Sequence, residues 1–159
     1  MSQIRILTVG KLKEKYWVEA QAEYLKRLRP YLKLELKEVA DFPCPDNAGP
    51  ALEEQVRRQE CAALENLIIP KSFLVTLDLR GKQLTSPELA EFFNERLMYG
   101  EDVTMVIGGS LGLTEELVKR ANLNLSFSKM TFPHQLFRVM LLEQIYRACR
   151  IMRGEPYHK

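Results

Sequence analysis

The apolar positions of this chain change period repeatedly, and each change marks an element. Ile4–Val9 (IRILTV) is a short β-branched run stopped by Gly10, which predicts a first strand. Between Lys11 and Arg29, Trp17, Ala20, Tyr24, Leu25 and Leu28 fall at helical spacing, and Pro30 ends the pattern. Leu32–Val39 (LKLELKEV) alternates apolar with charged residues, as a strand with one wet face does. Asp41–Pro50 holds three prolines and a glycine and predicts a loop, after which Ala51–Leu67 follows a helical pattern.

The second half repeats the alternation with stronger signals. Ser72–Leu79 (SFLVTLDL) is more continuously apolar, the pattern of a strand inside a sheet. Thr85-Ser86-Pro87-Glu88 joins a hydroxyl cap, a first-turn proline and an acid, so a helix starts there and runs to about Tyr99, where Gly100 breaks it. Val103–Ile107 reads as another buried strand. Gly108–Leu113 is a glycine loop, and Thr114-Glu115-Glu116 opens a short helix with charge that suits its dipole. Leu123–Phe127 predicts a last strand, and Pro133–Arg153 a long final helix. Strands alternating with helices predict an α/β fold, a mostly parallel sheet flanked by helices, as a single domain over residues 1–159.

That final helix is apolar nearly all round. Leu136, Phe137, Val139, Met140, Leu141, Leu142, Ile145, Tyr146, Ala148, Cys149 and Met152 leave a narrow polar stripe, on which Arg138, Arg147 and Arg150 are expected to pair with Glu143 or face an anionic partner. A helix of this kind is buried on nearly all sides. In a domain of this size the outer side of such a helix needs a second chain, so a homodimer is expected.

Charge adds one point. The net charge of +2 is too small to imply nucleic-acid binding, yet from Val118 onward eight Lys or Arg face only Glu143 and Glu155. Cys44, Cys61 and Cys149 are an odd number at unrelated spacings, which suggests free thiols and a cytoplasmic location rather than disulfides. The charged opening residues do not read as a signal peptide, and no apolar stretch approaches ~20 residues, so no membrane partner is expected.

Candidate chemistry lies in two places. Gly108-Gly109-Ser110-Leu111-Gly112 follows a buried strand and precedes a helix, where open α/β sheets bind ligands. No Lys-Ser/Thr follows, so it is not a P-loop, and the spacing is wrong for a dinucleotide fingerprint, with Ser128 where an acid is needed. His134 and His158 are the only histidines and no ligand cluster accompanies them, so no metal site is expected. No GxSxG elbow is present, which disfavours a serine hydrolase. His134 beside Pro133 could equally cap or pack a helix start, and His158 lies next to the terminus.

The IGGSLGL loop, the FSKMTFPHQLFRVMLLEQIYRA segment, the terminal GEPYHK, and the VGKLKEKYW and LDLRGK stretches closely resemble the RlmH (YbeA-like) family of SPOUT-class methyltransferases, over the whole chain. The resemblance implies a C-terminal trefoil knot, a homodimer and S-adenosylmethionine as cofactor. It implies that Leu77–Gly81, Gly108–Leu113 and Phe127–Pro133 cradle that cofactor, with Leu77, Gly108, Gly109, Phe127, Ser128, Lys129, Met130, Thr131 and Phe132 as the binding residues. The implied substrate is N3 of a pseudouridine in 23S ribosomal RNA of the assembled ribosome. Removal of the N3 proton needs an acceptor, for which His158, His134 and Tyr157 are the candidates, while Arg138 could stabilise developing negative charge or merely hold a phosphate. His158 and Arg138 come first, because the polar tail can reach over a pocket, that of a partner subunit included. A SPOUT enzyme acting on another RNA such as tRNA, a non-catalytic ribosome-associated cofactor-binding dimer, and more distantly a dinucleotide oxidoreductase are the competing readings.

Overall fold

A computed structural model describes residues 2–159. In chain order the elements are β1 (Gln3–Val9), α1 (Lys15–Leu28), β2 (Lys33–Val39), α2 (Pro50–Glu65), β3 (Phe73–Gln83), α3 (Ser86–Met98), β4 (Val103–Ile107), α4 (Glu115–Arg120), β5 (Leu123–Ser126) and α5 (His134–Met152). The five strands form one parallel sheet in the order β2-β1-β4-β3-β5. Both faces of a parallel sheet must be covered, and the alternation of the strands supplies two cores. Ile4, Ile6, Val75, Val103, Met105, Ile107 and Leu125 point to the side where α1, α3 and α5 lie. Leu7, Leu74 and Val106 point to the other, against Cys61 and Leu64 of α2 and Leu117 of α4.

The predicted elements are all present, with two informative differences. The first helix starts at Lys15 rather than Lys11, so Lys11–Glu14 is a non-helical lead-out from β1. The third strand runs on to Gln83, past the predicted end at Leu79. It does so by slipping: Leu77 and Lys82 both stand opposite Leu125 of β5, and Asp78–Gly81 bulges out between them. The start of α3 is the capping box expected from its sequence, with Thr85 Oγ1 accepting from the Glu88 N–H and Glu88 accepting from the Thr85 N–H.

Helix α5 lies between α1 and α3 and on the sheet. Most of its apolar girth, including Leu141, Leu142, Ile145, Ala148 and Cys149, is therefore covered within the chain itself. A corrected reading applies to Arg138. It is not on a polar stripe but 3% exposed, paired with Glu38 at the end of β2 at 2.6 Å and donating to the Gly10 carbonyl at 3.2 Å. Arg147 does sit on the polar side and pairs with Glu143 at 2.7 Å, one turn away, as expected.

Candidate active site

All five strands end at the same edge of the sheet, and three of the loops leaving that edge enclose a cavity of about 410 Å³. A parallel α/β sheet places its ligands there.

The first wall is the slipped segment of β3. Asp78 closes the bulge on itself by accepting from the Arg80 N–H at 2.8 Å and from the Arg80 guanidinium, a pairing that also holds the Asp78 carboxyl below its usual pKa. Gly81 brings the chain back beside β5. A Cβ there would lie 2.6 Å from the Asn124 carbonyl carbon and oxygen, so only glycine allows the two backbones to meet.

The second wall is the glycine loop. The Gly112 N–H donates to the Gly109 carbonyl at 3.0 Å, and Gly112 has φ +76°, a left-handed conformation that suits glycine. Any Cβ on Gly108 would press to 2.8 Å from the Gly112 backbone. The loop is anchored from α2, where Arg57 donates to the Leu111 carbonyl at 2.9 Å, and Thr114 caps α4 below it.

The third wall is Leu125–Phe132. Ser126 Oγ donates to the Ser128 carbonyl at 2.9 Å, and Ser128 Oγ accepts from the Met130 N–H at 3.0 Å. These two bonds shape a turn whose aromatic residue, Phe127, packs at a tilt against Phe137 of α5, with centroids 4.8 Å apart and planes at 53°. Pro133 then leads into α5 without a side-chain cap, so His134 is the first helical residue and lines the cavity rather than capping the helix.

The walls are mostly apolar (Leu77, Ile107, Leu113, Leu125, Phe127, Phe132, Phe137), with Asp78, Arg80, Ser110, Ser126, Ser128, Thr131 and His134 as the polar groups. A cavity of this size with mostly apolar walls and a few polar groups has the character of a small-molecule site.

Comparison with known proteins places this geometry. A family model described as "Predicted SPOUT methyltransferase" matches residues 2–158. A protein of Desulforamulus reducens named ribosomal RNA large subunit methyltransferase H is 54% identical over 160 residues, covering 100% of both chains. One of the same name from Carboxydothermus hydrogenoformans is 52% identical over 158 residues, covering 99% of each. The chain belongs to the SPOUT methyltransferase family. Among solved structures, a probable methyltransferase from Bordetella pertussis superposes with a TM-score of 0.59 at 16% identity, over 93% of this chain and 95% of that one. A putative methylase family protein from Neisseria gonorrhoeae gives 0.57 at 16%, over 99% and 86%. At that identity the likeness concerns the fold.

Within this SPOUT fold the candidate residues separate into two groups. Leu77, Gly108, Gly109, Phe127, Ser128, Met130, Thr131, Phe132 and His134 all line the cavity; Lys129 does not. Nor do Arg138, Tyr157 and His158. The tail is pinned along α5 of its own chain: Tyr157 donates to Glu143 at 3.1 Å, Arg147 meets His158 Nδ1 at 3.2 Å, and Arg150 bonds the Pro156 carbonyl. Burial, and then the Glu143 carboxylate, push the Tyr157 phenol up to about 12, so at neutral pH it keeps its proton and cannot serve as a proton acceptor.

A second hollow of about 490 Å³ adjoins the first. It runs between Tyr24, the start of α3, and Val139, Met140 and Glu143 of α5, and shares Leu125, Phe127 and Phe132 with the cavity. One buried charged group beneath the glycine loop, outside the cavity lining, has no signal in the sequence. Glu60 of α2 is 3% exposed, and its carboxylate lies beneath the glycine loop, where a Cβ on Gly109 would meet Oε1 at 3.0 Å. It looked like one more polar position of an amphipathic helix.

Proposed function

We propose that this protein transfers a methyl group from S-adenosylmethionine to N3 of a pseudouridine in 23S ribosomal RNA of the assembled ribosome, and that it works as a homodimer. The carrying observation is a three-loop cavity at the sheet's C-terminal edge, in a chain 54% identical end to end to a ribosomal RNA large subunit methyltransferase H. A threaded, knotted C-terminal segment, which the family resemblance implies, belongs to the same reading.

The residues present fit the cofactor. Leu77, Ile107, Leu125 and Phe127 provide apolar walls and the glycines allow close backbone approach. When bound, the cofactor supplies an electrophilic methyl group on a sulfonium. The chain's own contribution is then largely positioning and water exclusion, because displacement at a methyl carbon requires in-line alignment of nucleophile and donor. The N3 proton must leave as the new bond forms. His134 on the cavity wall is placed to take it within one chain. The alternative acceptor, His158, reaches a cavity only if the tail of one copy lies over that of another. The adjoining hollow, which shares Phe127 and Phe132 with the cavity, is the surface this reading gives to the second copy. Arg138, bound to Glu38 and Gly10, takes the role of holding α5 to the ends of β1 and β2.

The test is transfer of labelled methyl to whole ribosomes, separate subunits, naked rRNA and tRNA from cells lacking this protein. Incorporation on assembled ribosomes, recovered as 3-methylpseudouridine, is the expected result. Incorporation into tRNA instead, or cofactor binding without transfer to any substrate, would overturn the proposal.

A further inference from the structure

The segment that leaves β1 is unlike the rest of the surface near the cavity. Gly10 is held from both sides: its carbonyl accepts from Arg138, and the preceding Val9 touches the glycine loop, with Val9 Cγ1 only 3.2 Å from where a Gly109 Cβ would be. Lys11–Trp17 therefore emerges beside the cavity, at the same edge of the sheet. Lys11, Lys13, Glu14, Lys15 and Tyr16 are all exposed, and Tyr16 is 63% exposed although it is a large aromatic residue. Its ring is steadied edge-to-face by the half-buried Trp17, with centroids 5.0 Å apart and planes at 63°. Lys15 pairs with Glu19 at 3.7 Å, whereas Lys11 and Lys13 make no ion pair among the described residues.

We propose that Lys11–Trp17 is the RNA-facing lip of the site, with Tyr16 stacking on an unpaired base near the target nucleotide and Lys11 and Lys13 contacting flanking phosphates. An exposed, pre-oriented aromatic ring beside unpaired cations is the combination that single-stranded RNA uses, because every base has a face to stack and every linkage carries a charge. A purely apolar partner would leave the lysines desolvated and unpaired, and a purely anionic one would leave Tyr16 unused. With only two free lysines, the lip contributes modest affinity and mainly orients substrate that the rest of the surface also holds. The inference rests on the methyltransferase reading of the cavity.

Affinity for ribosomes from cells lacking this protein, measured by co-sedimentation, and methyl transfer to the same ribosomes form the test. Tyr16→Ala is expected to raise the Kd and KM for ribosomes about tenfold or more. Lys11→Ala with Lys13→Ala is expected to weaken binding and make its salt dependence shallower by about two charges' worth. Cofactor affinity should stay unchanged in both, and Met98→Ala, an exposed residue at the opposite edge of the sheet, should behave as wild type. Wild-type ribosome affinity and KM in the lip variants would overturn the lip while leaving the enzyme reading intact. Loss of the dimer in Tyr16→Ala, seen by sedimentation velocity, would reassign the patch to a chain–chain contact. Wild-type protein that neither binds nor methylates ribosomes would overturn the functional reading and the lip with it.

Discussion

Glu60 is the residue whose ionisation the fold resists most clearly. Its carboxylate is enclosed by α2, the glycine loop and the chain after β2, where it accepts from the Phe42 N–H at 3.2 Å. Burial pushes its pKa up to about 7, and the neighbouring Asp41 carboxylate pushes in the same direction. A carboxyl whose folded pKa lies above its unfolded value near 4.5 binds its proton more tightly when folded. Its contribution is thus complete below about pH 4.5 and is lost as pH rises toward 7. Glu60→Gln, which keeps the shape and removes the charge, should stabilise the protein at pH 8 by on the order of 1–3 kcal/mol. It should also flatten the fall in Tm between pH 5 and pH 8. Thermal melts of both proteins at the two pH values check this; an unchanged slope in the variant would mean the carboxyl ionises freely. Cys149 shows the same physics without consequence: burial lifts its thiol to about 12, so it stays protonated and inert.

At the scale of elements, the site depends on how α5 and β3 are fastened. Arg138 ties the first turns of α5 to the ends of β1 and β2 through Gly10 and Glu38. Arg138→Ala would leave the Gly10 carbonyl and the exposed Glu38 carboxylate without this partner and remove a buried side chain, at a cost of about 1–3 kcal/mol. A drop in denaturation midpoint, with methyl transfer recovered in proportion to the folded fraction, is the expected outcome. A fully folded variant without transfer would instead return Arg138 to the chemistry. Here the sequence and the structure part company for a definable reason. Periodicity along α5 marks Arg138 as polar and hence outward, but only the proximity of Glu38, 100 residues earlier, makes an inward guanidinium affordable. The slip in β3 is similar. LDLRGK reads as the end of a strand and the start of a loop, whereas β5 pairs with the chain on both sides of the bulge and keeps it in the sheet.

For the whole molecule, the decisive surface is the hollow between α1, α3 and α5. Val139 and Met140 line it and remain partly exposed, although α1 and α3 cover most of the rest of α5. A carboxylate placed there should be harmless to a monomer and costly to an interface that buries it. Val139→Asp is expected to shift sedimentation from dimer to monomer while far-UV circular dichroism stays unchanged, with methyl transfer falling at least tenfold. A monomeric variant that transfers normally would show that the tail of a second copy is not needed.

The sequence by itself determined the ten elements and their α/β alternation, because these are encoded locally, whereas the loops at the cavity are named through the resemblance of their motifs to a family. Hydrophobic period selects strand or helix, glycines mark turns, and the Thr85 and Thr114 caps mark helix starts. Only the tertiary structure decided that Arg138 turns inward, that Glu60 lies under the glycine loop, and that the tail runs along α5 away from its own cavity. Each of those depends on a partner distant in the sequence (Glu38, Gly109 and Glu143), and burial of a charge is settled by which groups surround it in space.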